Sequence, residues 1–443
     1  MANYNNLRNI INSTINSNGA QAITGAKHNN VLNTLLTTLT QGFQLLGVAT
    51  PATEYTPGDA NVAFLACTSG TYAGLGSLVV YPGEVALLTY DGTAWSKSTV
   101  FSLSDALDEL KREEYRKHYL TFEAAEDGVD IYFACPEDNE DVFVTVEVST
   151  DGGATWTEKT SSYAEDYEEG TLLATLDKGE TLLVRGSGPT GYYSEDMDEV
   201  VGNFFYVYSG KAYVYGNVMS LLGGSNFAGL DTIEDENAFA SLFSDYNEAI
   251  SGDLLASHPD KPLVLPATTL AEYCYGSMFS SCTGLTAAPA LPATTLAQYC
   301  YQSMFNGCTG LTAAPALPAT TLAQNCYGYM FNGCTSLTAA PELPATTLKN
   351  SCYNYMFSGC TSLTAAPELP ATTLENYCYS NMFSGCTQLA SVVCSATDIS
   401  ASNALYRWLR NVSATGTFTK AAGVNYPSGE SGIPTGWTVE EAA

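Results

Sequence analysis

The sequence predicts a multidomain chain. A helical N-terminal segment leads through a small β module and a β-sandwich into an α/β solenoid of repeats. Three observations carry that expectation. Residues 265–388 hold five copies of one 26-residue unit, with cysteines in register at Cys274, Cys300, Cys326, Cys352 and Cys378 and again at Cys282, Cys308, Cys334, Cys360 and Cys386. Residues 120–216 alternate apolar and polar side chains in the strand manner, while residues 1–50 are polar, Asn-rich and helical in pattern. A unit this short cannot bury its own apolar face, so the copies are expected to stack.

Composition narrows function before any motif does. The 443 residues exceed a single core, and 45% hydrophobic content with 29 tyrosines argues for folded domains. A formal net charge of -30 argues against a nucleic-acid partner, whose phosphates need Lys and Arg. Of the 46 acidic residues, 21 lie within residues 121–200, against Lys159, Lys178 and Arg185. That acidity reads as a solvated surface or as calcium sites, although neither residues 136–141 nor Asp151-Gly-Gly has EF-hand spacing. No apolar run is long enough to span a membrane, and residues 1–8 lack the pattern of a secretory signal. The 13 cysteines are odd in number and ten sit at repeat positions, so reduced, buried thiols are expected. With only three histidines in the chain, zinc is not expected, nor is another metal or a cofactor.

Taken in order, residues 1–50 form the helical segment. Leu32, Leu36, Leu39, Phe43 and Leu46 step by four and three residues alternately, a seam for oligomerisation or one face of an ordinary amphipathic helix. In the small β module, residues 51–101, the runs 77–81 and 85–90 flank Pro82-Gly83-Glu84 and predict a hairpin, and Asp91-Gly-Thr-Ala-Trp95 opens another turn. Residues 102–119 read as a charged connecting helix with Leu103, Leu107 and Leu110 on one side, a second candidate oligomerisation face. The acidic β-sandwich covers residues 120–216. Its strand at 142–148 runs into the turn Ser149-Thr-Asp-Gly-Gly-Ala-Thr-Trp156, and strands 171–176 and 180–185 are expected to pair across Asp177-Lys-Gly. Residues 217–393 contain the repeats, with a degraded first copy at Asn237-Ala-Phe-Ala-Ser-Leu-Phe243. Residues 394–443 are expected to cap them, with a short helix at 399–411.

Variation among the five copies separates core from surface. On a helical wheel, invariant Leu270, Cys274, Tyr275, Met278, Phe279 and Cys282 share one half and most variable positions the other. That segregation predicts an amphipathic helix of about three turns in each copy. Thr269 with Glu272, Thr295 with Gln298 and Thr321 with Gln324 match the capping box, and Gly307, Gly333, Gly359 and Gly385 stand where a left-handed residue stops a helix. The prolines of residues 337–344 allow only a short strand. The large residues at variable positions are Tyr273, Tyr299, Tyr329, Tyr355 and Tyr377, set among Ser, Asn, Gln and Gly. Rigid aromatics with adaptable polar neighbours suit recognition; packing between adjacent copies is the other reading.

The steps Gly-Cys-Thr-Ser-Leu-Thr and Met-Phe-Ser-Gly-Cys resemble the BspA-type leucine-rich repeat over residues 265–389, with Met-Phe where Ala-Phe is usual. That family consists mostly of bacterial surface and host-attachment proteins, so the resemblance implies a leucine-rich-repeat solenoid that binds rather than catalyses. The first half is similar to tail-fibre and receptor-binding proteins of tailed bacteriophages that infect gut Bacteroidetes. This likeness lies in Ala20-Gln-Ala-Ile-Thr-Gly-Ala-Lys-His-Asn-Asn-Val-Leu-Asn-Thr-Leu-Leu36 followed by a β module, a helix and a variable region. It implies a virion protein made in the host cytoplasm, trimeric, and attached through its N-terminal region to a tail or adaptor protein. Its repeats would then engage a host surface glycan or protein, with the five tyrosines as candidate contacts. A BspA-like bacterial adhesin is the alternative. Glycoside hydrolysis needs two carboxylates held across one sugar, and the repeats offer only isolated acids such as Glu342 and Glu368, so no enzyme is expected.

Overall fold

A computed structural model of the chain describes residues 44–49, 52–53, 62–66, 70–75, 77–80, 84–90, 95–102, 112–137, 139–164, 170–194, 199–244 and 255–442. The chain divides into two compact units, Met1–Glu113 and Glu114–Ala443. Strands and turns dominate the described residues, helices are few, and none of the several sheets is closed. No described helix is long and apolar enough to cross a membrane.

The first unit contains β1 (Gln44–Ala49), β2 (Val62–Ala66), β3 (Gly70–Tyr72), β4 (Leu78–Val80), β5 (Glu84–Tyr90) and β6 (Trp95–Ser102). Four of them form a sheet in the order β1-β2-β5-β6, and β3 pairs with β4 alone. Phe64, Ala66, Leu75, Val80, Ala86 and Leu88 form its core. Two expectations are corrected. The helical seam does not run through Leu46, which lies at a register shift in β1, a strand paired in parallel with β2; sheet pairing outweighs local helix preference there. The hairpin expected across Pro82-Gly83 does not form either, because β2 and β6 occupy both edges of β5 and β4 pairs with β3 instead. Strand β5 pairs antiparallel with β6 instead. Leu32, Leu36, Leu39, Phe43, Leu103, Leu107 and Leu110 lie outside the described residues. Of the connecting helix, residues 112–115 are helical and 116–117 already form a turn.

The second unit opens with two facing sheets. Its strands are β7 (Leu120–Ala124), β8 (Val129–Cys135), β9 (Thr145–Ser149), β10 (Thr157–Thr160), β11 (Ser162–Tyr163), β12 (Thr171–Leu176), β13 (Thr181–Arg185), β14 (Gly191–Ser194), β15 (Glu199–Gly202), β16 (Phe204–Ser209) and β17 (Ala212–Asn217). One sheet runs β10-β9-β13-β7-β17 and continues into β18 (Leu255–Ser257), with β19 (Leu263–Val264) also on β17. The other runs β11-β8-β12, with β16 on β8. Phe122 of β7 meets Phe205 of β16 at 5.3 Å between ring centroids, which closes the two apolar faces on each other. Strands β12 and β13 do not pair as expected. They belong to opposite sheets, so Asp177-Lys-Gly carries the chain across the core.

Phe243 lies 6.3 Å from both Phe122 and Phe205 and stacks on Phe279, so the core of the sheets runs directly into the repeats. From there Phe279, Phe305, Phe331, Phe357 and Phe383 stack at 5.5–5.7 Å, one per copy. A second column runs from Phe239 through Tyr275, Tyr301, Tyr327, Tyr353 and Tyr379 to Trp408. The stack ends on β20 (Ser391–Cys394), β21 (Thr417–Lys420) and β22 (Thr438–Glu441), a parallel three-stranded sheet. There the indoles of Trp408 and Trp437 donate to the carbonyls of Gly432 and Ser413.

The helix expected in each copy is absent. Residues 271–282 form overlapping β-turns instead, and the left-handed backbone recurs every fourth residue, at Tyr273, Ser277 and Ser281 with φ of +52°, +52° and +62°. The amides of Cys274, Gly276, Met278, Ser280 and Cys282 each donate three residues back along the chain. Those of Tyr273, Tyr275, Ser277, Phe279 and Ser281 donate to the next copy, to the carbonyls of Gln298, Cys300, Gln302, Met304 and Asn306. Side chains follow a four-residue rhythm, two inward and two outward. Residues 399–411, expected as a helix, repeat the same turns, with left-handed Asn403, Arg407 and Asn411. The expected strand per copy reduces to isolated parallel bridges such as Thr269↔Thr295↔Thr321↔Thr347, since the neighbouring prolines supply no ladder donor.

Helix and turn predict opposite responses to glycine. Ser303 is left-handed at +54°, a conformation that costs an L-residue roughly 1–2 kcal/mol. Set against the greater freedom of glycine in the unfolded chain, Ser303→Gly should raise stability by about 0–1 kcal/mol in urea unfolding. A helix interior would lose about 0.5 kcal/mol, and a loss of that size would refute the turn geometry.

Candidate functional site

Each copy forms one rung, and each rung presents its outward pairs at three successive corners. The first corner carries Glu272-Tyr273, Gln298-Tyr299, Gln324-Asn325, Asn350-Ser351 and Asn376-Tyr377 on rungs one to five. The second carries Gly276-Ser277, Gln302-Ser303, Gly328-Tyr329 and Asn354-Tyr355, and on rung five Ser380-Asn381, both of which are buried. The third ends in Ser281 and then in Gly307, Gly333, Gly359 and Gly385, so it stays small. In every pair the second residue is the left-handed one.

All five candidate tyrosines therefore occupy left-handed backbone, at +52° for Tyr273, +58° for Tyr299 and Tyr329, +55° for Tyr355 and +56° for Tyr377. Asn and Gly suit that conformation; a bulky ring there is an outlier that persists only where something holds it. Stacking holds four of them. Tyr273 and Tyr299 lie 4.4 Å apart at 2°, and Tyr329 and Tyr355 lie 4.6 Å apart at 6°. These pairs are closer than the core columns. Tyr377 has Ser351 and Asn403 at the same corner of its neighbouring rungs and is 41% exposed. Gln324 donates from Nε2 to the Tyr299 hydroxyl at 3.1 Å. Packing between copies thus accounts for one face of each paired ring.

Behind this face the interior is thiol and aromatic. None of the described cysteines is in a disulfide, and each thiol is buried. Cys282, Cys308, Cys334, Cys360 and Cys386 donate from Sγ to the carbonyls of Phe243, Phe279, Phe305, Phe331 and Phe357 on the preceding rung, at 2.8–3.1 Å. Such a thiol must stay protonated. Burial pushes Cys326, Cys334, Cys378 and Cys386 up to about 12 and drives buried Tyr275 and Tyr301 well above their ordinary value.

Two further constellations are structural in geometry. Asp151 accepts from the Ser149 hydroxyl and from the amide and hydroxyl of Thr155, and the Trp156 indole donates to the Gly153 carbonyl, which closes the turn on itself. Arg185 lies 4.0 Å over the Trp156 ring while paired with Glu147. Where the sheets meet the repeats, Glu123 pairs with Lys261 and accepts from the Tyr215 hydroxyl at 3.0 Å. His258 Nδ1 accepts from the amides of Asp260 and Lys261, and burial holds its pKa low. Sequence reasoning missed this latch, whose members are separated by up to 138 residues. Among the described residues, no group of three or more His, Cys, Asp or Glu side chains is arranged to hold a metal ion. No protein-family model, curated protein or solved structure matches the chain.

The buried thiols set a pH limit. Their folded pKa values are raised, so the stability they contribute is complete below the unfolded value of about 8.5 and is lost as pH rises toward 12. The melting temperature should be flat between pH 6 and 8 and fall steadily above about pH 9. A melting temperature unchanged to pH 11 would show that these thiols are not buried donors.

Proposed function

We propose that the chain is a receptor-binding or tail-fibre protein of a tailed bacteriophage. Its N-terminal region attaches to the tail or an adaptor protein, and its repeats engage the host surface as a leucine-rich-repeat solenoid. The observation that carries this reading is the tyrosine-bearing face: five bulky rings kept in left-handed backbone, on a stack whose interior is otherwise nearly invariant. Strain retained at outward positions points to selection for contact rather than for folding. On rungs two to five the three outward corners hold no charged residue, although the chain carries a net charge of -30. A binding role accounts for that, and no paired carboxylates on this face suggest catalysis. The chain is accordingly a virion component made in the host cytoplasm, and its trimeric state rests on the resemblance to phage fibres. The resemblance of the repeats to BspA-type proteins keeps a bacterial surface adhesin as the second reading.

The two readings separate on where the protein sits. An antibody raised against residues 114–443 should label the tails of purified virions, and excess purified full chain should block adsorption of that phage to its host. Label confined to bacterial cell surfaces, with adsorption unaffected, would replace the phage reading with the adhesin.

A further inference from the structure

The geometry points to a binding notch for an uncharged oligosaccharide between Tyr299 and Tyr377, a refinement that rests on the receptor-binding reading. The two corners are complementary along the stack. At the first corner the left-handed residues of rungs one to five are Tyr273, Tyr299, Asn325, Ser351 and Tyr377, and at the second they are Ser277, Ser303, Tyr329, Tyr355 and Asn381. Rings are missing from the first corner on rungs three and four, the two rungs on which the second corner has them. The result is a recess with Tyr299 at one end, Tyr377 at the other, Asn325 and Ser351 as its floor, and the Tyr329–Tyr355 pair one corner away.

Ring geometry decides what such a recess presents. Tyr273 covers one face of Tyr299, at 4.4 Å and 2°, so the stack turns the opposite face toward rung three. Tyr377 is 41% exposed and has no ring at its corner on either adjacent rung. Three rung steps of strand-like spacing separate the two tyrosines, roughly 14 Å between ring planes and about 10 Å clear of ring thickness. That is the length of a short run of sugar rings lying along the stack. The polar groups around it are amides and hydroxyls, which both donate and accept: Gln324, Asn325, Asn350 and Ser351, with Ser351 Oγ already 2.8 Å from Asn350 Oδ1. On rung four, Asn354 adds a buried amide oxygen for which the described residues supply no donor. Apolar ring faces with amides and no formal charge at the outward corners match the C–H faces and hydroxyls of a neutral sugar. The nearest formal charges are Lys349 and Glu375, exposed one residue before this corner on rungs four and five and opposite in sign, so they add no net charge to attract a phosphate, a sialic acid or a charged peptide.

The sequence supplies its own controls, because Asn and Ser already occupy this left-handed position at Asn325, Ser351 and Asn403. Tyr377→Asn removes one end of the notch and Asn325→Tyr fills it, and both keep the backbone conformation. Full-length chain and both variants are to be tested on an array of neutral and anionic oligosaccharides and on a panel of gut Bacteroidetes strains, native, periodate-treated or protease-treated. The expected result is binding to neutral oligosaccharides and to periodate-sensitive cells, reduced at least tenfold in each variant, with Tyr377→Asn melting no lower than the native chain. Three results would overturn the notch and leave the receptor-binding reading standing: cell binding unchanged in both variants, array signal confined to anionic glycans, or cell binding abolished by protease but not by periodate. A native chain that binds neither cells nor any oligosaccharide would remove both.

Discussion

The whole repeat stack depends on a division of labour among its backbone amides. In each rung alternate residues donate either three positions back along the chain or across to the next rung, and their carbonyls accept in the complementary sense. Every amide from Tyr273 to Cys282 is thereby satisfied without an α-helix or a continuous strand. The arrangement requires a left-handed residue at each outward corner, since only that reversal brings the chain back after two inward side chains. Gly307, Gly333, Gly359 and Gly385 meet the requirement at the third corner, where small residues keep the rungs close; a Cβ on Gly333 would already lie 3.6 Å from Gly307 Cα.

Satisfying the backbone locally frees the outward side chains and constrains the inward ones. Cys, Tyr, Met and Phe recur at fixed inward positions because each touches its own equivalent one rung away, and a change of volume on one rung would be felt on two others. The stack nevertheless needs ends. At its start, Gly191 and Gly202 of the β14–β15 hairpin sit so close to the carbonyls of Asn237 and Ala240 that a Cβ on either would approach the oxygen to 2.1 or 2.0 Å. At its far end Trp408 closes the tyrosine column and meets Phe418 edge-on at 5.8 Å. The sheets and the closing segment thus cover the apolar faces that a bare stack would expose.

The sorting of residues into buried and outward is legible in the sequence, because variation among five copies follows burial. Leu270, Cys274, Tyr275, Met278, Phe279 and Cys282 are all buried. The backbone that performs the sorting is not legible by the same route. A period of four differs from the helical 3.6 by about 10° per residue, so the twelve steps from Leu270 to Cys282 drift by only about 120° and still fill one half of a wheel. The discriminating signal is the recurrence of Gly, Asn and Ser at every fourth position. Tyrosine at Tyr273 and Tyr329 masks that signal, since its presence argues against left-handed backbone. In the facing sheets, alternation marks β12 and β13 as strands but cannot say which sheet each joins, because pairing is decided by partners distant in sequence.

The same masking explains why the candidate site is only half visible from sequence. Tyr273, Tyr299, Tyr329, Tyr355 and Tyr377 stand out as large residues at variable positions, but a helical wheel spreads them over one broad face. On four-residue turns they fall into two separate columns, offset by the rungs on which each column has rings. Adjacent rungs stack equivalent rings only where both carry tyrosine, so the positions of Asn325 and Ser351 determine where ring faces stay open. A stack of near-identical rungs therefore acquires a particular shape from two polar substitutions. The cost is borne locally: a left-handed tyrosine is strained by roughly 1–2 kcal/mol, an amount that one well-stacked aromatic neighbour largely offsets. Tyr377 has no such neighbour, which makes it the residue whose retention is least explained by folding alone.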